Sequence, residues 1–182
     1  MNHNDINNQE IVVENINNIL TQGTCIIVDS ALETTTKTFI TIQNVIKAEN
    51  SVGTTTNAID VQNFTAIDKV LVTIKDSFFE TDATTTGNPV IKCGQNVGVT
   101  LQNCLINGLA ECITHTTNTE VLVYNSVLVS GANGTNTVTG TGNYGISNSA
   151  QNKAVTGGTA LFSGNNTARP FIKQFCNVTP TF

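Results

Sequence analysis

A chain of 182 residues fits one domain with its own core, since a domain of about 150 residues hides roughly 70% of its unfolded surface. Only 12% of the residues are charged and 5% aromatic, and eight basic residues stand against thirteen acidic ones for a net charge of −5. Phosphate neutralisation needs clustered Lys and Arg, so nucleic acid is excluded as the expected partner, and no stretch reaches the roughly 18 consecutive apolar residues of a membrane span.

The amino terminus, MNHNDINNQE, has neither the basic start nor the apolar core of a signal peptide. The expectation is a chain that reaches its assembly site in the cytoplasm. Residues 9–22 predict an amphipathic helix with Val12, Ile16, Ile19 and Leu20 on one face and Gly23 as its stop. Such a helix would cap whatever follows and protect an open strand edge.

From residue 24 to 149 the chain repeats. Four segments align without gaps: ITIQNVI at 40–46, VTIKDSF at 72–78, VTLQNCL at 99–105 and VLVYNSV at 121–127. Their first, third and seventh positions are apolar, the signature of strands with one buried face. The fifth position is Asn44, Asp76, Asn103 or Asn125. Asn tolerates the left-handed backbone of a tight bend, and stacked amides can bond from one copy to the next, so these four predict a structural ladder.

A second strand family is expected at 26–28, 59–61, 91–93 and 112–114 and, more weakly, at 146–148, with a third strand after each Asn bend. The stretches 50–57, 80–88 and 130–143 are rich in Thr, Gly and Asn and read as loops, where insertions are tolerated. After Ser149 the pattern fades, and residues 150–182 read as a lower cap or as a strand donated to a neighbouring subunit.

The pattern resembles the pectin-lyase-like right-handed β-helix superfamily, whose three-sheet coils often carry an Asn ladder at one bend. The resemblance implies an all-β fold, a right-handed parallel β-helix of about four to five coils, as a single domain over 1–182. It implies little about function, since the same coil serves lyases, hydrolases, adhesins and phage tailspikes.

In that geometry a sugar would lie across the second strand family, whose outward residues are expected to include Asp60, Lys92, Glu111 and His115. Asp60 and Lys92 fall at equivalent positions on successive coils, about 4.8 Å apart in such a stack. They could do acid–base chemistry if burial shifted them, or form a plain surface ion pair. The calcium-binding acidic clusters of the lyases this fold resembles, and the aspartate trio and Gly-His-Gly and Arg-Ile-Lys motifs of its hydrolases, do not occur here, so no catalytic role is carried across.

The five cysteines (Cys25, Cys93, Cys104, Cys112 and Cys176) form no CxxC pair, and no His stands at metal-ligand spacing. Neither a metal nor another cofactor is expected, and the thiols read as small core residues. Cys93 and Cys112 lie on adjacent coils but out of register, beyond disulfide reach. Threonine runs at 34–36, 54–56 and 84–86 raise an ice-binding reading, but they sit in loops of unequal length.

Phe79, Ile106 and Leu128 share the position just beyond the bend, where the first aligned segment has Lys47. If alternation survives the bend they face outward and form a subunit interface; if the bend shifts it, they join the core. The expected function is a non-enzymatic structural or attachment protein, a capsid-associated or fibre component of a virion, forming a homo-oligomer with a trimer favoured. The alternative is a polysaccharide-binding or polysaccharide-degrading module.

Overall fold

The structure, a computed structural model, describes residues 9–19, 24–29, 37–47, 57–65, 70–81 and 88–163. These residues are all-β, with parallel strands in strongly curled sheets and no helix among them. The chain returns to pair with itself in successive passes. The first contains β1 (Gln9–Ile19) and β2 (Ile26–Val28), and the second β3 (Thr38–Lys47) and β4 (Ile59–Val61). The third, fourth and fifth contain three strands each: β5 (Val70–Lys75), β6 (Phe78–Thr81) and β7 (Ile91–Cys93); β8 (Val97–Gln102), β9 (Leu105–Gly108) and β10 (Ile113–His115); β11 (Glu120–Tyr124), β12 (Val127–Ser130) and β13 (Val138–Gly140). The sixth holds β14 (Asn143–Ser147), β15 (Ala150–Gln151) and β16 (Val155–Thr156), and β17 (Thr159–Ser163) follows.

One sheet of 11 strands runs β15-β12-β9-β6-β3-β5-β8-β11-β14-β17, with β1 also on β3; the other, of 6 strands, runs β16-β13-β10-β7-β4-β2. Strand β3 crosses the bend and so belongs to both arms of the larger sheet. The four aligned segments pair in the register read from the sequence, for example Val72↔Val99 and Val121↔Val99.

The amino-terminal helix is not there. Residues 9–19 form β1, which lies on β3 with Ile11↔Ile40 and Val13↔Ile42. β-branched Ile and Val at alternate positions suit a pleated, half-buried surface better than a helix. Asn15 then takes the bend position, making this a fifth copy of the repeat. Gly23, offered as the helix stop, lies outside the described residues.

The repeat also runs past Ser149. β15, β16 and β17 continue the pairing through residue 163. The stretch 130–143, read as loop, contains β13. Residues 146–148, read as a weak second-family strand, belong instead to β14 and its bend, with Ile146↔Val123 in register. Most of the other two expected loops, the three threonine runs and residues 164–182 lie outside the described residues.

At the bend the backbone turns left-handed at Asn15 (φ 58°), Asn44 (51°), Asp76 (51°), Asn103 (54°), Asn125 (47°) and Asn148 (48°). Asn44 Nδ2 donates to Asn15 Oδ1 at 3.2 Å, Asn103 Nδ2 to Asp76 Oδ1 at 3.0 Å, and Asn148 Nδ2 to Asn125 Oδ1. In each of these pairs the later pass donates to the earlier one.

The left-handed residue adds one outward position. Lys75 and Asp76 both face away from the core while Ser77 turns inward, so the alternation shifts by one. Phe79, Ile106 and Leu128 are therefore completely buried, and the outward interface row expected of them is corrected to core. The seventh positions Ile46, Phe78, Leu105 and Val127, expected inside, are turned outward and half-buried. Burying each of the three core side chains contributes roughly 1.5–3 kcal/mol. At the matching position Lys47 is buried too, and its ammonium donates to the Glu80 carbonyl at 2.8 Å.

Inside the bend a second ladder stabilises the same corner. Val45 N–H donates to Ser77 Oγ at 3.1 Å, Cys104 N–H to Ser126 Oγ at 3.0 Å and Ser126 N–H to Ser149 Oγ at 3.1 Å. Each hydroxyl in turn donates to the carbonyl two residues before it. The buried backbone at a tight turn is satisfied by the neighbouring pass, which is what a buried N–H requires.

Candidate functional site

The strands of the second family, β4, β7, β10, β13 and β16, are short; each turns its second residue outward, and all but β16, whose Val155 is half-buried, bury the first. The outward row begins at Ile27 and runs through Asp60, Lys92, Thr114, Thr139 and Thr156, all in register. Lys92 Nζ lies 3.5 Å from Asp60 Oδ1, with the lysine side chain 54% and the aspartate 23% exposed. An ion pair this open contributes at most about 1 kcal/mol, but it sets a carboxylate and an ammonium side by side at the surface.

The other two candidates do not join them. The register of β10 differs by one residue from the sequence reading: Ile113, and not Cys112, aligns with Ile91. That step turns His115 from outward to inward, in one row with Cys93 and Val61, and leaves it 3% exposed. Burial pushes its pKa below the ordinary histidine value. Glu111 precedes the strand; its carbonyl accepts from Val90 N–H at 3.1 Å, and its Oε2 is buried with no hydrogen-bond partner among the described residues. Of the four expected residues, Asp60 and Lys92 meet, Glu111 stands at the corner, and His115 is core.

Cys93, Cys104 and Cys112 are core as well, and Cys25 is half-buried. Cys25, Cys93, Cys104 and Cys112 are free thiols, and Cys176 lies outside the described residues. Desolvation raises the Cys93 thiol to about 12, with the Asp60 carboxylate adding to it, and the Cys104 thiol to about 11. Neutral, buried thiols are poor nucleophiles and poor ligands. Among the described residues no three His, Cys, Asp or Glu side chains come together as a metal site, and no helix is long and apolar enough to cross a membrane.

Sequence reasoning missed three sets of residues that organise the fold. Asn15 and Asn148 extend the bend ladder at both ends. Ser77, Cys104, Ser126 and Ser149 build the inner ladder; their signal was the small sixth position of the aligned segments. Asn96 (φ 61°) and Asn118 (φ 57°) turn a second corner, where Asn118 Nδ2 donates to Asn96 Oδ1 at 3.1 Å and Asn96 Nδ2 to the Phe64 carbonyl at 2.6 Å.

No family model matches this chain, and neither does any curated protein or solved structure.

Proposed function

We propose that this chain is a non-enzymatic structural or attachment protein that assembles with copies of itself, built as a right-handed parallel β-helix with three strand faces to a coil. Parallel strands joined by crossovers are right-handed in nearly all known sheets, and the left-handed Asn positions, with a second corner at Asn96 and Asn118, support the reading of three faces to a coil. A capsid-associated or fibre role in a virion is the setting proposed for it.

The observation that carries self-assembly is the first pass. β1 is 11 residues long and pairs only with β3 among the described residues, which leaves its other edge open. On the same pass Val12 is 49%, Ile16 38% and Ile27 56% exposed. A long strand edge flanked by exposed apolar side chains is a template for another chain, and the proposed occupant is a second copy. The interface thus moves from the buried row at Phe79, Ile106 and Leu128 to the first pass.

Light scattering over a concentration series is the test. The expected mass is a multiple of the 19.3 kDa chain, three copies being the expected number, and Val12→Asp with Ile27→Asp should return it to one chain without altering the far-ultraviolet circular dichroism. A strict monomer at every concentration would overturn the proposal.

A second reading, a polysaccharide-binding module, is favoured by the outward row Asp60, Lys92, Thr114, Thr139 and Thr156. Replacing Asp60 and Lys92 by Ala should then abolish glycan binding while assembly is unchanged.

A further inference from the structure

The inward row Val61, Cys93, His115 and Gly140 places an imidazole where its neighbours have a valine, a thiol and a hydrogen atom. His115 is 3% exposed, and neither Nδ1 nor Nε2 has a hydrogen-bond partner among the described residues. A buried imidazole with both nitrogens unsatisfied is a departure from the rule that buried polar groups are paired, and the surroundings are shaped to hold it. A Cβ added at Gly140 would lie 2.5 Å from His115 Cδ2 and 2.6 Å from Cγ; one at Gly142 would lie 3.0 Å from Nδ1, and one at Gly158 3.1 Å from Cε1. Tyr144 meets the ring edge-on, with centroids 6.3 Å apart and planes at 63°. The ring thus leans from the fourth pass into the space of the fifth and sixth, and three glycines make room for it.

Among the described residues, that space holds nothing to balance a positive charge. From β7, Cys93 shares the row, with its thiol held neutral by burial, while Lys92 faces outward to Asp60. β13, β16 and β17 carry no ionisable side chain, β14 brings only the Tyr144 phenol, and Glu120 at the start of β11 is exposed. A protonated ring would be a buried, unpaired cation. Among the described residues β15, β16 and β17 are paired on one side only, and outer passes of a stack are the easiest to open.

We propose that His115 is an acid-sensitive latch: protonation of its ring releases the passes that follow it, residues 138–163, and bares the lower edges of β10, β11 and β12 with their apolar interior rows. The sign follows from burial. The ring's pKa is lowered on folding from 6.5, so the released state binds the extra proton more readily, and closure is lost as pH falls below the ordinary histidine value.

The test is hydrogen exchange of the full chain followed by mass spectrometry at about pH 7.5 and about pH 5, corrected for intrinsic rates. Peptides within 138–163 should lose protection by roughly tenfold at the lower pH, while those covering 70–75 and 91–101 hold theirs. His115→Leu should abolish the difference; a His115→Leu chain that still loses protection in 138–163 at the lower pH overturns the latch. If that variant does not fold, the two histidines of the wild-type chain, His3 and His115, are followed by NMR. A His115 signal that titrates alongside His3 with no change in exchange would equally overturn it, whereas a resonance that titrates only as 138–163 opens supports it.

Discussion

At the scale of the residue, the bend is where the chemistry of one side chain decides the path of the chain. Asn is the commonest non-glycine residue in the left-handed region because its short amide bonds locally, and here that amide also bonds to the neighbouring pass. Asn125 shows both contributions: its φ is 47°, and its Oδ1 accepts from Asn148 Nδ2. Replacing it by Ala leaves a Cβ in a conformation that costs about 1 kcal/mol and removes a bond with a net contribution of about 1 kcal/mol. Asn125→Ala should therefore destabilise the chain by about 2 kcal/mol and Asn125→Gly, which relieves the backbone, by about half that. Urea titration of the two variants checks the ordering; equal losses would mean that the backbone conformation contributes nothing. The fifth position was legible in the sequence because both contributions demand the same residue type. Asn15 and Asn148 escaped notice because the apolar residues beside them fitted another pattern, helical around Asn15 and weakly strand-like around Asn148.

At the scale of the element, the same left-handed residue explains what was misread. Alternation inferred from a straight strand assigns the seventh position inside and the eighth outside. One extra outward residue at the bend reverses both. Leu128 and Leu105 make the comparison direct, the first fully buried, the second half-buried on the outer face. Leu128→Ala should cost about 2–5 kcal/mol, the range for emptying a buried leucine site, and Leu105→Ala about 1 kcal/mol. Thermal or chemical denaturation distinguishes them, and a larger loss at Leu105 would contradict the shifted alternation. β10 carries a related lesson. CITH allows two strand registers, and an inward His is the less obvious of them; only the glycines that accommodate the ring one and two passes later, Gly140, Gly142 and Gly158, decide the matter, and they are remote in sequence. Asp60 and Lys92 were legible as a pair because their strands, IDV and IKC, align in one way only.

At the scale of the whole molecule, stability is distributed along a stack in which ladders and apolar rows link each pass to the next. Such a chain behaves as a sum of unit and neighbour contributions and need not unfold as one block. Leu101 and Ile146 lie in the same interior row, in the fourth pass and the sixth, with 0% and 2% exposure. Emptying either site removes a similar number of methylene groups, so each should cost about 2–5 kcal/mol locally. The consequences differ by place. Leu101→Ala weakens both of its neighbouring passes and should lower the midpoint of the entire transition. Ile146→Ala acts next to the last described strands and should open residues 143–163 while β3, β5 and β8 keep their protection. Hydrogen exchange by peptide resolves the two patterns. Loss of protection along the whole chain in Ile146→Ala would show a single cooperative unit, and a partner bound to the first pass could then be felt at the far end; confinement to 143–163 would show that the two ends of the stack respond independently, which is the behaviour a latch at His115 requires.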